Sequence, residues 1–171
     1  MTIFKIDTPQ EFFQHIVSTD VSEFLNNEPA LRTAYHACNS LLSYRDWVFA
    51  TYKGKPWHCS RTAQGPLSSK RQFQKALELA DPSFAIVADI ANASKHLILE
   101  AERTSAGLKG NGDTQIEIVD GTLNSAPINT VAINETLHTI YVIIGQHRHD
   151  VVVSVGTTYE TWVKLNAENR W

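Results

Sequence analysis

Between Pro29 and Gly54 the chain reads PALRTAYHACNSLLSYRDWVFATYKG, with no glycine or proline inside it. Pro29 suits a first helical turn, and Gly54 with Pro56 stops the helix near Lys53. This is the longest element the sequence predicts, and everything else has to pack around it. Winding it at about 100° per residue puts Leu31, Tyr35, Cys38, Leu42 and Phe49 on one broad face, with Ala34, Leu41 and Val48 beside them. Arg45 falls near the middle of that face. A buried guanidinium must find a carboxylate, backbone carbonyls or an anionic ligand, because an unpaired buried charge is strongly unfavourable. Arg32, His36, Asn39, Ser43 and Asp46 form the opposite stripe, and Trp47 among them predicts that this side is partly covered too.

Helix-start chemistry recurs along the chain. Thr8, Pro9 and Glu11 have the spacing of a capping box with proline at the first helical position, which predicts a helix over about 9–18. Ser69 and Gln72 repeat the spacing before a short helix. Asp81 and Pro82 open another that the periodicity carries to about 103. The intervening GKPWHCSRTAQGPLSSKRQ lacks periodicity and reads as a long surface loop. After the glycine-rich turn near 107–112 the pattern changes. TQIEIVDGT, INTVAIN and LHTIYVIIG are short β-branched and aromatic runs bounded by turn residues, the signature of a small antiparallel sheet. In DVVVSVGTTYETWVKLNAEN the valine run suits a strand. Val152, Val155, Tyr159, Trp162 and Val163 nevertheless recur at helical spacing behind Asp150, a competent cap, which favours a terminal helix.

The expected fold is therefore α+β in one domain over 1–171. A bundle of about four to five helices occupies 1–104, a small antiparallel sheet 113–148, and a C-terminal helix 150–169. With 171 residues, 43% of them hydrophobic, the chain can bury a real core. It has no apolar run near the roughly 20 residues a membrane span needs, so no membrane partner is expected. The N-terminus lacks the features of a secretory signal, and a cytoplasmic protein is expected. A net charge of −3 disfavours nucleic acid as a general partner but leaves room for a local basic patch. The two cysteines, Cys38 and Cys59, are too few for a disulfide framework or a four-ligand zinc site.

A second polar stripe lies in the helix that Asp81 opens. Asp89, Asn92, His96 and Arg103 line one side, while Ile86, Val87, Ile90, Leu97 and Ile98 line the other. If this stripe faced that of His36, Asn39 and Asp46, the two would gather imidazoles, carboxylates and amides able to do acid–base chemistry or hold a divalent ion. His36 and Asp46 are too far apart, roughly 15 Å along one helix, to share an ion. Such a site would combine His36 with Asp89 or His96 and a third group from His147, Arg148, His149 or Asp150. No HExxH, paired CxxC, GxSxG or phosphate-loop motif is present. A Cys59 nucleophile beside His58 is conceivable in a loop with basic neighbours.

LRTAYHACNSLLSYRDWVF, the DIANASKH helix and the late RHD resemble a group of small bacterial proteins with the same motif order and no assigned activity, over roughly 30–165. A more distant resemblance, as a small helical bundle, is to the HEPN ribonucleases of toxin–antitoxin and defence systems, whose motif is Arg and His separated by four to six residues. RTAYH has three intervening residues, and NASKH begins with Asn92 in place of arginine. The DinB-like metal-dependent bundles are similar in carrying histidines on separate helices; their His-x-x-x-His pair has no counterpart here. These resemblances imply a bacterial or phage-linked accessory protein.

The stripes support two functions. One is a ligand-binding protein whose polar pocket around Arg45, Asp46, Lys95 and His96, with Asn92, Arg148 and His149 as further contacts, takes a small anionic ligand or a protein partner. The sequence names no cofactor, and a homodimer is one form such a partner could take. The other is an enzyme, a metal-dependent hydrolase or a diverged HEPN-like ribonuclease, with His36, Asp89 and His96 as catalytic residues.

Overall fold

A helix apolar around most of its circumference has to be surrounded, and the Leu31–Tyr52 helix is. The computed structural model describes residues 5–27, 30–59, 65–96, 104–110, 113–120 and 136–169. Its elements run α1 (Pro9–Phe12), a π-helical turn (Phe13–Val17), α2 (Ser18–Asn26), α3 (Leu31–Tyr52), β1 (Pro56–Trp57), β2 (Gly65–Pro66), α4 (Lys70–Ala80), α5 (Ser83–Ala93), β3 (Thr114–Asp120), β4 (Thr136–Ile144), β5 (His147–Asp150) and α6 (Val151–Asn169). The architecture is α+β: a helical bundle, then a small antiparallel sheet, then a C-terminal helix. Helices α2, α4, α5 and α6 all pack against α3.

The helix starts follow their caps. Thr8 Oγ1 accepts from the Glu11 N–H at 3.2 Å while Glu11 Oε2 accepts from the Thr8 N–H at 3.0 Å, the reciprocal pair the spacing predicts. Ser69 Oγ accepts from the Gln72 N–H at 3.2 Å, Asp81 Oδ1 from the Ser83 N–H at 2.9 Å, and Asp150 Oδ1 from the Val153 N–H at 3.1 Å. The valine run after Asp150 is therefore helical.

Four expectations need correction or limits. The first helix does not end near 18: a π turn shifts its register and it continues to Asn26. Ser18 Oγ donates to the Phe13 carbonyl at 3.0 Å and Thr19 Oγ1 to the His15 carbonyl at 2.9 Å, so residues able to stop a helix bond back into it instead. Helix α5 ends at Ala93 rather than continuing past His96; Leu97, Ile98 and Arg103 lie outside the described residues, as do Pro29 and the expected INTVAIN strand. The long loop is anchored at its base, where β1 pairs antiparallel with β2 and buries Trp57, Cys59 and Leu67.

Trp162 of α6 is the centre of the core. Its indole meets Tyr44 edge-on at 4.8 Å and lies 6.2 Å from both Phe73 and Phe84, so one side chain ties α6 to α3, α4 and α5. Trp47 is half-buried because Phe12 stacks on it at 5.0 Å, which accounts for an aromatic on the polar side of α3. In the sheet, β4 lies between β3 and β5. Ile140 and Val142, two residues apart on β4, are fully buried, and α6 packs against that strand.

Candidate functional site

Helix α4 buries Phe73, Leu77 and Ala80, which fall on one side at helical spacing. The other side carries Lys70, Arg71, Gln74, Lys75 and Glu78, and this stripe forms one wall of a cleft of about 1060 Å³. Arg45 of α3 also lines it, together with Asn92 and His96 from α5 and the turn beyond it, and Thr104 and Ser105 from the segment leading to the sheet. Among the described residues four cationic side chains and one carboxylate thus meet here, in a protein whose overall charge is −3.

Arg45 is only 8% exposed, as its place on the apolar face of α3 requires. Its Nε and Nη2 donate to Asp46 Oδ1 at 2.7 and 2.6 Å, and Nη1 donates to Gln74 Oε1. Three of its five N–H groups are accounted for in this way among the described residues. Gln74 Nε2 in turn donates to Glu78 Oε1 at 2.8 Å and to Ser105 Oγ at 2.7 Å. Lys70 reaches the second oxygen of Asp46 at 3.1 Å. Arg71 and Lys75 form no ion pair among the described residues.

Asp89 holds the far wall from beneath. It is fully buried, and its Oδ1 accepts from the Ser105 N–H at 2.6 Å. Its Oδ2 accepts from the N–H groups of Ala106, Gly107 and Leu108 at 2.9, 2.9 and 3.1 Å. This is a backbone nest closed on a carboxylate, with Gly107 at φ +98° making the turn. Burial pushes the Asp89 carboxyl above the usual carboxylate range, and the four N–H groups oppose that shift. Asp46, Arg45, Gln74, Ser105 and Asp89 consequently form one chain of hydrogen bonds across α3, α4, the 104–108 segment and α5.

The structure divides the residues the sequence singled out. Arg45, Asn92 and His96 line the cleft, and Asp46 orients Arg45 from beside it. Asp89, expected to join His36 and His96 in a catalytic cluster, is instead interior, with its oxygens occupied by backbone donors. Lys95 is exposed beyond the end of α5 and is not among the lining residues. His36 is exposed on α3 and does not line the cleft either. Its neighbour Asn39 bridges helices instead, donating to Ser94 Oγ at 2.9 Å and to the Tyr35 carbonyl at 2.8 Å. Arg148 lies on β5 with its guanidinium 3.9 Å over the Tyr141 ring, and half-buried His149 is on the same strand opposite Val142. Cys59 is 5% exposed in the loop base, and burial raises the Cys38 thiol well above its ordinary range, so neither is placed as a nucleophile. Among the described residues no group of three or more His, Cys, Asp or Glu side chains is arranged to hold a metal ion.

The α4 wall was missed by sequence reasoning. KRQFQKALELA carries the signal, since Lys70, Arg71 and Lys75 fall within one arc once Phe73 and Leu77 are turned inward. No helix among the described residues is long and apolar enough to cross a membrane. No protein-family profile, curated protein or solved structure matches the chain.

Proposed function

We propose that this protein binds a small anionic ligand in the cleft between α3, α4 and α5. The observation that carries this reading is the convergence of Arg45, Lys70, Arg71 and Lys75 on one concavity, with Arg71 and Lys75 uncompensated among the described residues. Two of these cations, Lys70 and Arg71, stand in the first turn of α4, which has no acidic residue. Cations there oppose the helix dipole, and an anion would relieve both them and the free N–H groups of that turn. Asn92, His96, Thr104 and Ser105 add hydrogen-bonding groups that orient a ligand.

Of the residues expected to catalyse hydrolysis, only His96 lines the cleft, so binding is preferred to metal-dependent hydrolysis or HEPN-like ribonuclease chemistry. The test is calorimetric titration of the full chain with inorganic phosphate and pyrophosphate. Binding that weakens as salt rises, and falls about tenfold or more in Arg71→Glu and Lys75→Glu variants of unchanged melting temperature, is the expected result. Affinity unaffected by either charge reversal would reject the cleft as the site.

A further inference from the structure

All ten described side chains lining the cleft are polar or charged, and the His96 imidazole is the one ring among them. Among these residues a nucleobase meets only that imidazole and the two arginine planes as stacking surfaces, and an acyl chain meets no apolar side chain. The charges are also unevenly distributed. Lys70 and Arg71 stand at the N-terminal end of the α4 stripe, and Glu78 lies eight residues further on, roughly 12 Å along the axis at 1.5 Å per residue. Glu78 and Ser105 share the Gln74 Nε2 donor, so they belong to the same end of the cleft. Glu78 Oε1 takes that bond, and the carboxylate keeps acceptor capacity for a further donor.

A carboxylate at one end of a cationic cleft repels a second phosphate and accepts hydrogen bonds from hydroxyl groups. We infer, building on the anion-binding reading, that the ligand is a monophosphorylated polyhydroxy compound of sugar-phosphate size. Its phosphate sits among Lys70, Arg71 and Lys75, Arg45 stands between the two ends on Gln74, and the hydroxyl groups meet Glu78, Thr104 and Ser105. The span from the cationic end to Glu78 is longer than a lone phosphate and admits a phosphate joined to a short polyol, while the Glu78 carboxylate disfavours a polyphosphate of the same reach by its charge. Asn92 and His96 supply donors and acceptors for the hydroxyls between the two ends.

The experiment is calorimetric titration of the full chain at constant ionic strength with glucose 6-phosphate, inorganic phosphate, pyrophosphate, glucose and ATP. The inference expects the sugar phosphate to bind at least about tenfold more tightly than inorganic phosphate or pyrophosphate, since each well-placed hydroxyl contributes a net hydrogen bond. Glu78→Gln, which can still accept the Gln74 bond, should weaken the sugar phosphate about fivefold or more and leave inorganic phosphate bound at least as tightly. Equal affinity for phosphate and sugar phosphate, tightest binding of pyrophosphate or ATP, or indifference to Glu78→Gln would each overturn the sugar-phosphate assignment while leaving an anion site standing. Absence of binding by every phosphate-containing probe would overturn the anion site itself. The comparison among probes needs no variant, so a poorly folded mutant does not decide it.

Discussion

Arg45 and Asp46, neighbours in sequence, are ion-paired through Nε and Nη2 onto one carboxylate oxygen at 2.7 and 2.6 Å. Adjacent residues on a helix point about 100° apart, so this pair closes only because the arginine stem is long enough to turn back. The partners differ in setting: the side chain of Arg45 is 10% exposed and that of Asp46 42%.

This difference makes the two truncations unequal. In Arg45→Met the remaining carboxylate is open to water and still faces Lys70, so the cost in stability is about 1 kcal/mol or less while anion binding is lost. Asp46→Ala leaves a buried guanidinium with Gln74 as its one remaining partner among the described residues and costs about 1–3 kcal/mol. Chemical denaturation of both variants checks the order, and a larger loss in Arg45→Met would contradict it.

Asp89 gives a second test. Asp89→Ala orphans four backbone N–H groups and should cost roughly 2–4 kcal/mol, as each unsatisfied buried donor carries a penalty and the segment relaxes only in part. Because Ser105 is tied to Asp89, ligand affinity should fall with it.

The raised Asp89 carboxyl also fixes a pH dependence. The folded state holds the proton more tightly than the unfolded chain, so the contribution of this group is full below the ordinary carboxylate range. It declines as pH rises through the folded value and is flat above it. Relative to Asp89→Asn, the native protein should lose melting temperature as pH rises across that window. A difference that grows with pH would contradict the assignment.

Trp162 contacts aromatic rings from three other helices. Trp162→Ala should therefore cost about 3–5 kcal/mol, the range for removing a large core aromatic, and broaden the thermal transition. A loss below about 1 kcal/mol would mean that α6 is not docked as described.

At the other end of α6, Asn169 clasps the His58 backbone, accepting from its N–H at 2.6 Å and donating to its carbonyl at 2.8 Å. These bonds are exposed, so Asn169→Ala should cost about 1 kcal/mol or less. Its effect should be local, read as faster amide exchange around His58 with the global melt little changed.

Caps and periodicity were legible because they act within a turn or two of chain. Thr8, Ser69, Asp81 and Asp150 accept the N–H groups their spacing implies, and the period of α6 outweighs the strand preference of its valines. Burial of Arg45 was legible too, because the face of a helix follows from its register. The continuation of the first helix to Asn26 was not, since the π turn displaces the periodicity on which the reading depends.

The sequence by itself determined the α+β order of elements, most helix starts and an arginine that had to be paired inside. Only the tertiary structure decided what each polar stripe faces. The stripe of α4 became a cleft wall because α3, α5 and the 104–108 segment stand across from it, and Asp89 became an interior anchor because a backbone turn closed over it. Helical spacing fixes the direction in which a side chain leaves its own axis. Whether it meets water, a ligand or another segment depends on contacts between residues far apart in the chain, and local pattern does not encode those.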